Sequence, residues 1–183
     1  MRRKVSDIAV GEFDSEMTHA TDQPARERKH KSADEALQAL MRLAARGEKS
    51  TGDAMRLMRS WGVPECERQS VVDKLIGHRF IDNRRYAEAY ARVKSQLSGW
   101  GPKKIAMQLR MKGVEREVIV EVLSAYDSDS HRERLKERLR RKLRATKASS
   151  EYELRGKLLR YALSLGYDYD TAIDSIDSIV RSK

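Results

Sequence analysis

The chain has 183 residues, with 38 Lys and Arg against 28 Asp and Glu, a formal charge of +10 and a pI near 9.8. Hydrophobic residues make up 39% and aromatics only 6%, which excludes a single wide aromatic core and favours many thin helices sharing narrow apolar seams. The positive balance calls for an anionic partner, with nucleic acid ahead of an acidic protein surface or a membrane.

Residues 1–32 carry seven basic and six acidic residues, few large apolar ones and no sustained period, and read as a disordered tail. The start is basic, but Asp7 and Glu12 interrupt what would be the apolar region of a signal peptide. The longest stretch without a charged residue is Ser95 to Pro102, eight residues, so no segment reads as a membrane span and no membrane partner is expected. Cys66 is the only cysteine, which forbids an internal disulfide and makes a reducing cytoplasm the expected compartment.

From Ser32 onward the pattern is helical. Ser32 before Ala33-Asp34-Glu35 supplies an N-cap and early acids, followed by Leu37, Leu40, Met41 and Ala44 at i, i+3, i+4, i+7. A second helix opens at Ser50 with Met55 and Met58 inward and Gly62 beyond its end. A third carries Val71, Val72, Leu75 and Ile76 as its apolar stripe. The predicted helices are 33–46, 50–60, 66–78, 83–98, 102–112, 115–126, 131–147, 150–164 and 169–181, and no segment alternates cleanly enough to be a strand.

These helices repeat in threes. Gly62-Val63, Gly113-Val114 and Gly166-Tyr167 are spaced by 51 and 53 residues. Eight and four residues before each Gly stand Ala54 and Met58, Ile105 and Leu109, Leu158 and Ala162. Ten and thirteen after it stand Val72 and Leu75, Leu123 and Tyr126, Ile176 and Ile179. The reading is an all-α chain of three tandem three-helix repeats, 33–82, 83–127 and 128–183, forming an elongated, curved body.

The charge is concentrated. Residues 78–116 and residues 131–147 each carry a balance of +7, and everything else sums to −4. In the helix His131–Lys147, Leu135, Leu139 and Leu143 form one seam. Arg132, Arg134, Lys136, Arg138, Arg140, Arg141, Lys142 and Arg144 surround it; Glu133–Lys136 and Glu137–Arg141 can pair along the helix and leave most of the cations unpaired. In the middle unit Tyr86, Tyr90, Val93 and Leu97 read as the inward stripe, and Trp100 as a wedge between units rather than a base-stacking platform.

Catalytic signatures are missing. Gly156-Lys157 lacks both the upstream Gly and the following hydroxyl residue of a phosphate-binding loop. His19, His30, His78 and His131 are scattered, and one Cys makes no zinc cluster. No metal, no cofactor and no enzymatic activity are expected.

The run Phe80-Ile81-Asp82-Asn83-Arg84-Arg85-Tyr86-Ala87, then Gly101-Pro102-Lys103-Lys104-Ile105 and Leu109-Arg110-Met111-Lys112-Gly113-Val114, resembles the bacterial RecX family. Asp82, Arg85, Tyr86 and Ala87 match its first block, Gly101, Pro102, Lys104 and Ile105 its second, and Leu109, Lys112, Gly113 and Val114 its third. Asn83 stands where the family pattern has a second acid. The resemblance is strongest over 80–123. It implies an all-α protein of three three-helix repeats that acts on the RecA recombinase. Such a protein is expected to bind along the groove of the RecA–single-stranded DNA filament and to lower ATP hydrolysis, strand exchange and SOS-linked cleavage by RecA.

On that reading the chain is a non-catalytic, monomeric regulator with weaker direct affinity for DNA. The expected contact residues are Arg92, Lys94, Lys103, Lys104, Arg110 and Lys112, then Arg134, Arg138, Arg141, Lys142 and Arg144. The alternative is a stand-alone DNA- or RNA-binding helical module that uses 102–112 and 115–126 like a helix-turn-helix.

Overall fold

A computed structural model describes residues 30–125 and 128–181. Residues 1–29, most of the predicted tail, and Tyr126 lie outside them. Among the described residues there are nine α-helices and no strand. They are α1 (Ala33–Arg46), α2 (Thr51–Ser60), α3 (Glu65–Gly77), α4 (Asn83–Val93), α5 (Pro102–Met111), α6 (Arg116–Ser124), α7 (Ser128–Ala145), α8 (Glu151–Leu165) and α9 (Tyr169–Arg181), with a π-helical turn at Lys94–Ser98 extending α4.

Local chemistry sets the helix starts. Ser32 and Glu35 form a complete capping box on α1, while Ser50, Asp82 and Ser150 accept from the third backbone N–H of α2, α4 and α8. Pro102 occupies the first position of α5, where no N–H is needed. Each triplet then closes on its own core. Leu40, Met58, Val71 and Leu75 fill the first, Ala87, Ile105, Leu109 and Val122 the second, and Leu135, Leu139, Leu158 and Ile176 the third.

The repeat anchors have a common geometry. Gly62, Gly113 and Gly166 adopt φ of 71°, 74° and 90°, the left-handed region that reverses the chain after a helix. The next residue turns inward and its N–H reaches back to the helix: Val63 to the Met58 carbonyl at 3.0 Å, Val114 to Leu109 at 3.1 Å and Tyr167 to Ala162 at 3.3 Å. Val63, Val114 and Tyr167 are all buried. The Gly-apolar pairs therefore mark the C-terminal turns of α2, α5 and α8.

Those same turns join the repeats. The N–H of Gly52, at the start of α2, donates to the Lys112 carbonyl at the end of α5 at 3.0 Å. Gly101 and Lys103, at the start of α5, donate to Leu165 at 2.8 Å and Gly166 at 3.1 Å at the end of α8. Unsatisfied N–H groups of one helix thus meet unsatisfied carbonyls of the next, and α8, α5 and α2 meet end to end, C-terminus to N-terminus. At the open end of this column the chain itself supplies the donor, because Lys31 N–H bonds the Trp61 carbonyl at 3.0 Å. Trp61, Lys112 and Leu165 each immediately precede an anchor glycine, so one carbonyl position accepts in all three repeats.

The two junctions differ in chemistry. Between the first and second repeats the Asn83 amide nitrogen donates to Thr51 Oγ1 at 3.0 Å, the Gly113 carbonyl at 3.2 Å and the Glu115 carboxylate at 3.0 Å. Arg85 pairs with Glu48 at 2.6 Å and Lys112 with Asp53 at 2.9 Å. Between the second and third repeats Trp100 packs against both cores, and Arg134 donates to the buried Ser95 hydroxyl at 3.0 Å.

Some expectations require correction. Val93 and Leu97 do not face inward: they are 46% and 75% exposed. Ala87, Ala91 and Ser95, one every four residues, form the buried line of this segment instead, and Val93 and Leu97 fall outside it. Ile76, 47% exposed, falls outside the seam made by Val71, Val72 and Leu75. Helix α7 starts at Ser128, three residues before the predicted boundary.

Candidate functional site

The cations expected to bind separate into two groups. Several are committed within the molecule. Lys112 pairs with Asp53, Arg134 holds Ser95, Arg138 donates to the Leu97 carbonyl at 2.8 Å, and Arg141 pairs with Glu137. The ammonium groups of Lys94 and Lys104 each lie 4.8 Å from the Trp100 ring centre, and Lys104 also donates to the Ser164 carbonyl at 3.0 Å. Apart from Arg141, whose partner lies on its own helix, these side chains bind the second repeat to its neighbours or brace its junction. Arg92, Lys103, Arg110, Lys142 and Arg144 are exposed and form no ion pair among the described residues.

Asp53–Lys112 is the most buried ion pair among the described residues. Burial raises the Asp53 pKa, but the Lys112 ammonium and the Arg56 guanidinium outweigh it and hold the carboxyl below its ordinary value. Burial first, and then the Asp53 charge, pushes the Tyr86 phenol far up. Tyr86 and Tyr90 serve packing: Tyr86 is buried and stacks on Tyr90 with ring centres 5.8 Å apart.

The helix column produces a second cationic feature, one that charge summed over sequence segments does not reveal. Because α8, α5 and α2 meet end to end, exposed positions repeat from helix to helix at fixed offsets from the anchor glycines, and this series is called the ridge. Six residues before each anchor glycine stand Arg56, Met107 and Arg160, and three before it stand Arg59, Arg110 and Leu163; all six are exposed. Lys103 and Met111 extend the ridge on α5. None of these positions carries an acid. The signal for it lies in the sequence, at exposed offsets from the same anchors that mark the buried stripe. The neighbouring helix α6 differs, exposing Glu117 and Glu121 beside Arg116.

Fold and surface together define a class: an all-α protein of three tandem three-helix units with exposed cations on its second helices. A family model described as RecX, second three-helix domain, matches residues 82–123. The regulatory protein RecX of Clostridium botulinum strain Eklund 17B is 31% identical over 136 residues, 73% of this chain and 62% of that protein. That of Mycolicibacterium vanbaalenii is 26% identical over 152 residues, 80% of this chain and 83% of that protein. The crystal structure of RecX from Lactobacillus salivarius superposes with a TM-score of 0.71 at 21% identity, covering 80% of this chain and 95% of that one. A second RecX crystal structure gives 0.74 at 20% identity, covering 79% and 73%. At that identity the structures speak to the fold. The second repeat thus matches a RecX family model, and about seven-tenths of the chain is similar to proteins named regulatory protein RecX. The matches span 62% and 59% of the length of the two Clostridium botulinum relatives, strains Eklund 17B and Alaska E43.

Proposed function

We propose that this chain is a non-catalytic regulator that binds RecA and the RecA–single-stranded DNA filament and inhibits the recombinase, ATPase and SOS coprotease activities of RecA. One observation carries the reading beyond that similarity: exposed cations outside any ion pair among the described residues recur at equivalent helices of all three repeats, from Arg59 through Lys103 and Arg110 to Arg160. A partner that matches such a line is itself extended and anionic, as a strand within a filament is. The apolar members Met107, Met111 and Leu163 offer contacts to protein or base along the same line. A helix-turn-helix mode through α5 and α6 is disfavoured, since Glu117 and Glu121 would face the phosphates.

The test is the single-strand-dependent ATPase of RecA with this protein added at moderate salt, with filament length followed by electron microscopy. Turnover falls and filaments shorten if the reading is right. Unchanged turnover and length at several-fold molar excess would sink it.

A further inference from the structure

At the outer end of the ridge, where the C-terminal turn of α7 meets α8, an open cavity of about 500 Å³ is lined by Lys142, Ala145, Thr146, Lys147, Lys157, Arg160 and Tyr161. Four of its lining side chains are cations and none is a carboxylate. Helix dipoles account for part of this. Lys157 donates to the Lys147 carbonyl at 2.8 Å, beyond the end of α7, and pairs with Glu153 at 2.6 Å outside the lining. Lys142 lies 5.5 Å from the Tyr161 ring centre, while Lys147 and Arg160 form no ion pair among the described residues. Like charges gathered around one hollow repel one another, so the arrangement is not a source of stability in the free protein.

We propose that this cavity binds a phosphoryl group. Arg160 offers a planar fork that grips two phosphate oxygens at once, and Lys142 and Lys147 add point charges from the opposite wall. The ridge that shares Arg160 with the cavity makes the phosphate of a single-stranded nucleic acid the favoured source over a free nucleotide. The site is read from its side chains alone and needs no RecA, so it stands or falls separately from the regulatory reading.

The experiment follows backbone amide resonances of the full chain at low ionic strength, where surface charge is least screened. Inorganic pyrophosphate is titrated first, then ATP, then a short oligothymidylate. The expected result with pyrophosphate is a saturating set of shifts confined to residues 142–161, with affinity about tenfold weaker in Lys147→Ala/Arg160→Ala. Both substitutions are at exposed positions, and an unchanged thermal unfolding curve shows that the fold is kept. The same shifts with oligothymidylate assign the phosphate to nucleic acid; shifts with ATP but not oligothymidylate keep the phosphoryl site and assign it to free nucleotides. No shifts in this region with any of the three probes, or equal affinity in the folded double variant, would overturn the proposal.

Discussion

The backbone N–H of Gly52 meets the carbonyl oxygen of Lys112 at 3.0 Å, across sixty residues of sequence and the junction of two repeats. That approach leaves no room for a side chain: a Cβ on Gly52 would stand 2.4 Å from the same oxygen. Gly101 meets the next junction in the same way, with a Cβ placed 2.6 Å from the Gly166 oxygen. The repeats are therefore joined where helix ends approach backbone to backbone.

Gly52→Ala tests this directly. An exposed helical glycine replaced by alanine ordinarily gains about 0.5–1 kcal/mol, but here the clash is with backbone, and a net loss of about 1–2 kcal/mol is expected. Gly156→Ala is the control. It lies within α8, its Cβ would meet only the Arg160 tip at 3.7 Å, and the substitution should stabilise the protein. Urea unfolding of both variants checks the opposite signs.

Asp53 makes the first junction sensitive to acid. Its carboxyl pKa is lowered in the folded state, so the stability it contributes is fully present above the ordinary carboxylate value and is lost as pH falls through the lowered one. The window lies below about pH 4. Asp53→Asn should cost about 2 kcal/mol at neutral pH by stranding Lys112 and Arg56, and progressively less as the pH is taken below about 3 and the wild-type carboxyl itself takes up a proton. Denaturant midpoints of both proteins at neutral and acid pH make the comparison.

Trp100 joins the second and third cores, and Trp100→Ala should cost about 3 kcal/mol. Because the loss falls on the junction, the third repeat should also unfold earlier than the second. Hydrogen exchange read separately in α5 and α8 would show protection dropping first in α8; a uniform drop would argue against this view of the junction.

Charge reversal separates binding cations from structural ones. Lys103→Glu with Arg110→Glu removes exposed positive charge from the ridge and touches no ion pair among the described residues. Inhibition of RecA should weaken about tenfold, and the salt slope of binding to single strands should fall by about 0.7 for each phosphate no longer neutralised. Unfolding midpoints should stay within about 0.5 kcal/mol of the parent. Arg134→Glu should instead lower stability, because Arg134 bonds the buried Ser95 hydroxyl.

Much of the fold is legible in the sequence. The Gly-apolar anchors, the i, i+4 apolar pairs around them and the N-caps at Ser32, Ser50 and Asp82 all express short-range backbone chemistry, and each lies within a few residues of what it controls. The exposure of Leu97 is not legible there, because the stripe at Tyr86, Tyr90, Val93 and Leu97 and the line at Ala87, Ala91 and Ser95 are both helical spacings, and only tertiary packing chooses between them. Nor can local pattern show that Lys112 and Arg134 are spent on Asp53 and Ser95, which lie 59 and 39 residues away.

The +10 charge and the three repeats belong to the sequence alone, since composition and local periodicity suffice to define them, and the blocks between Phe80 and Val114 carry the family resemblance. Which cations face outward, and in what line, was decided only by tertiary structure. Helix ends must pair their free N–H and carbonyl groups, and by doing so they set α8, α5 and α2 in one column. That end-to-end joining, rather than the number of basic residues, relates the exposed cations of one repeat to those of the next.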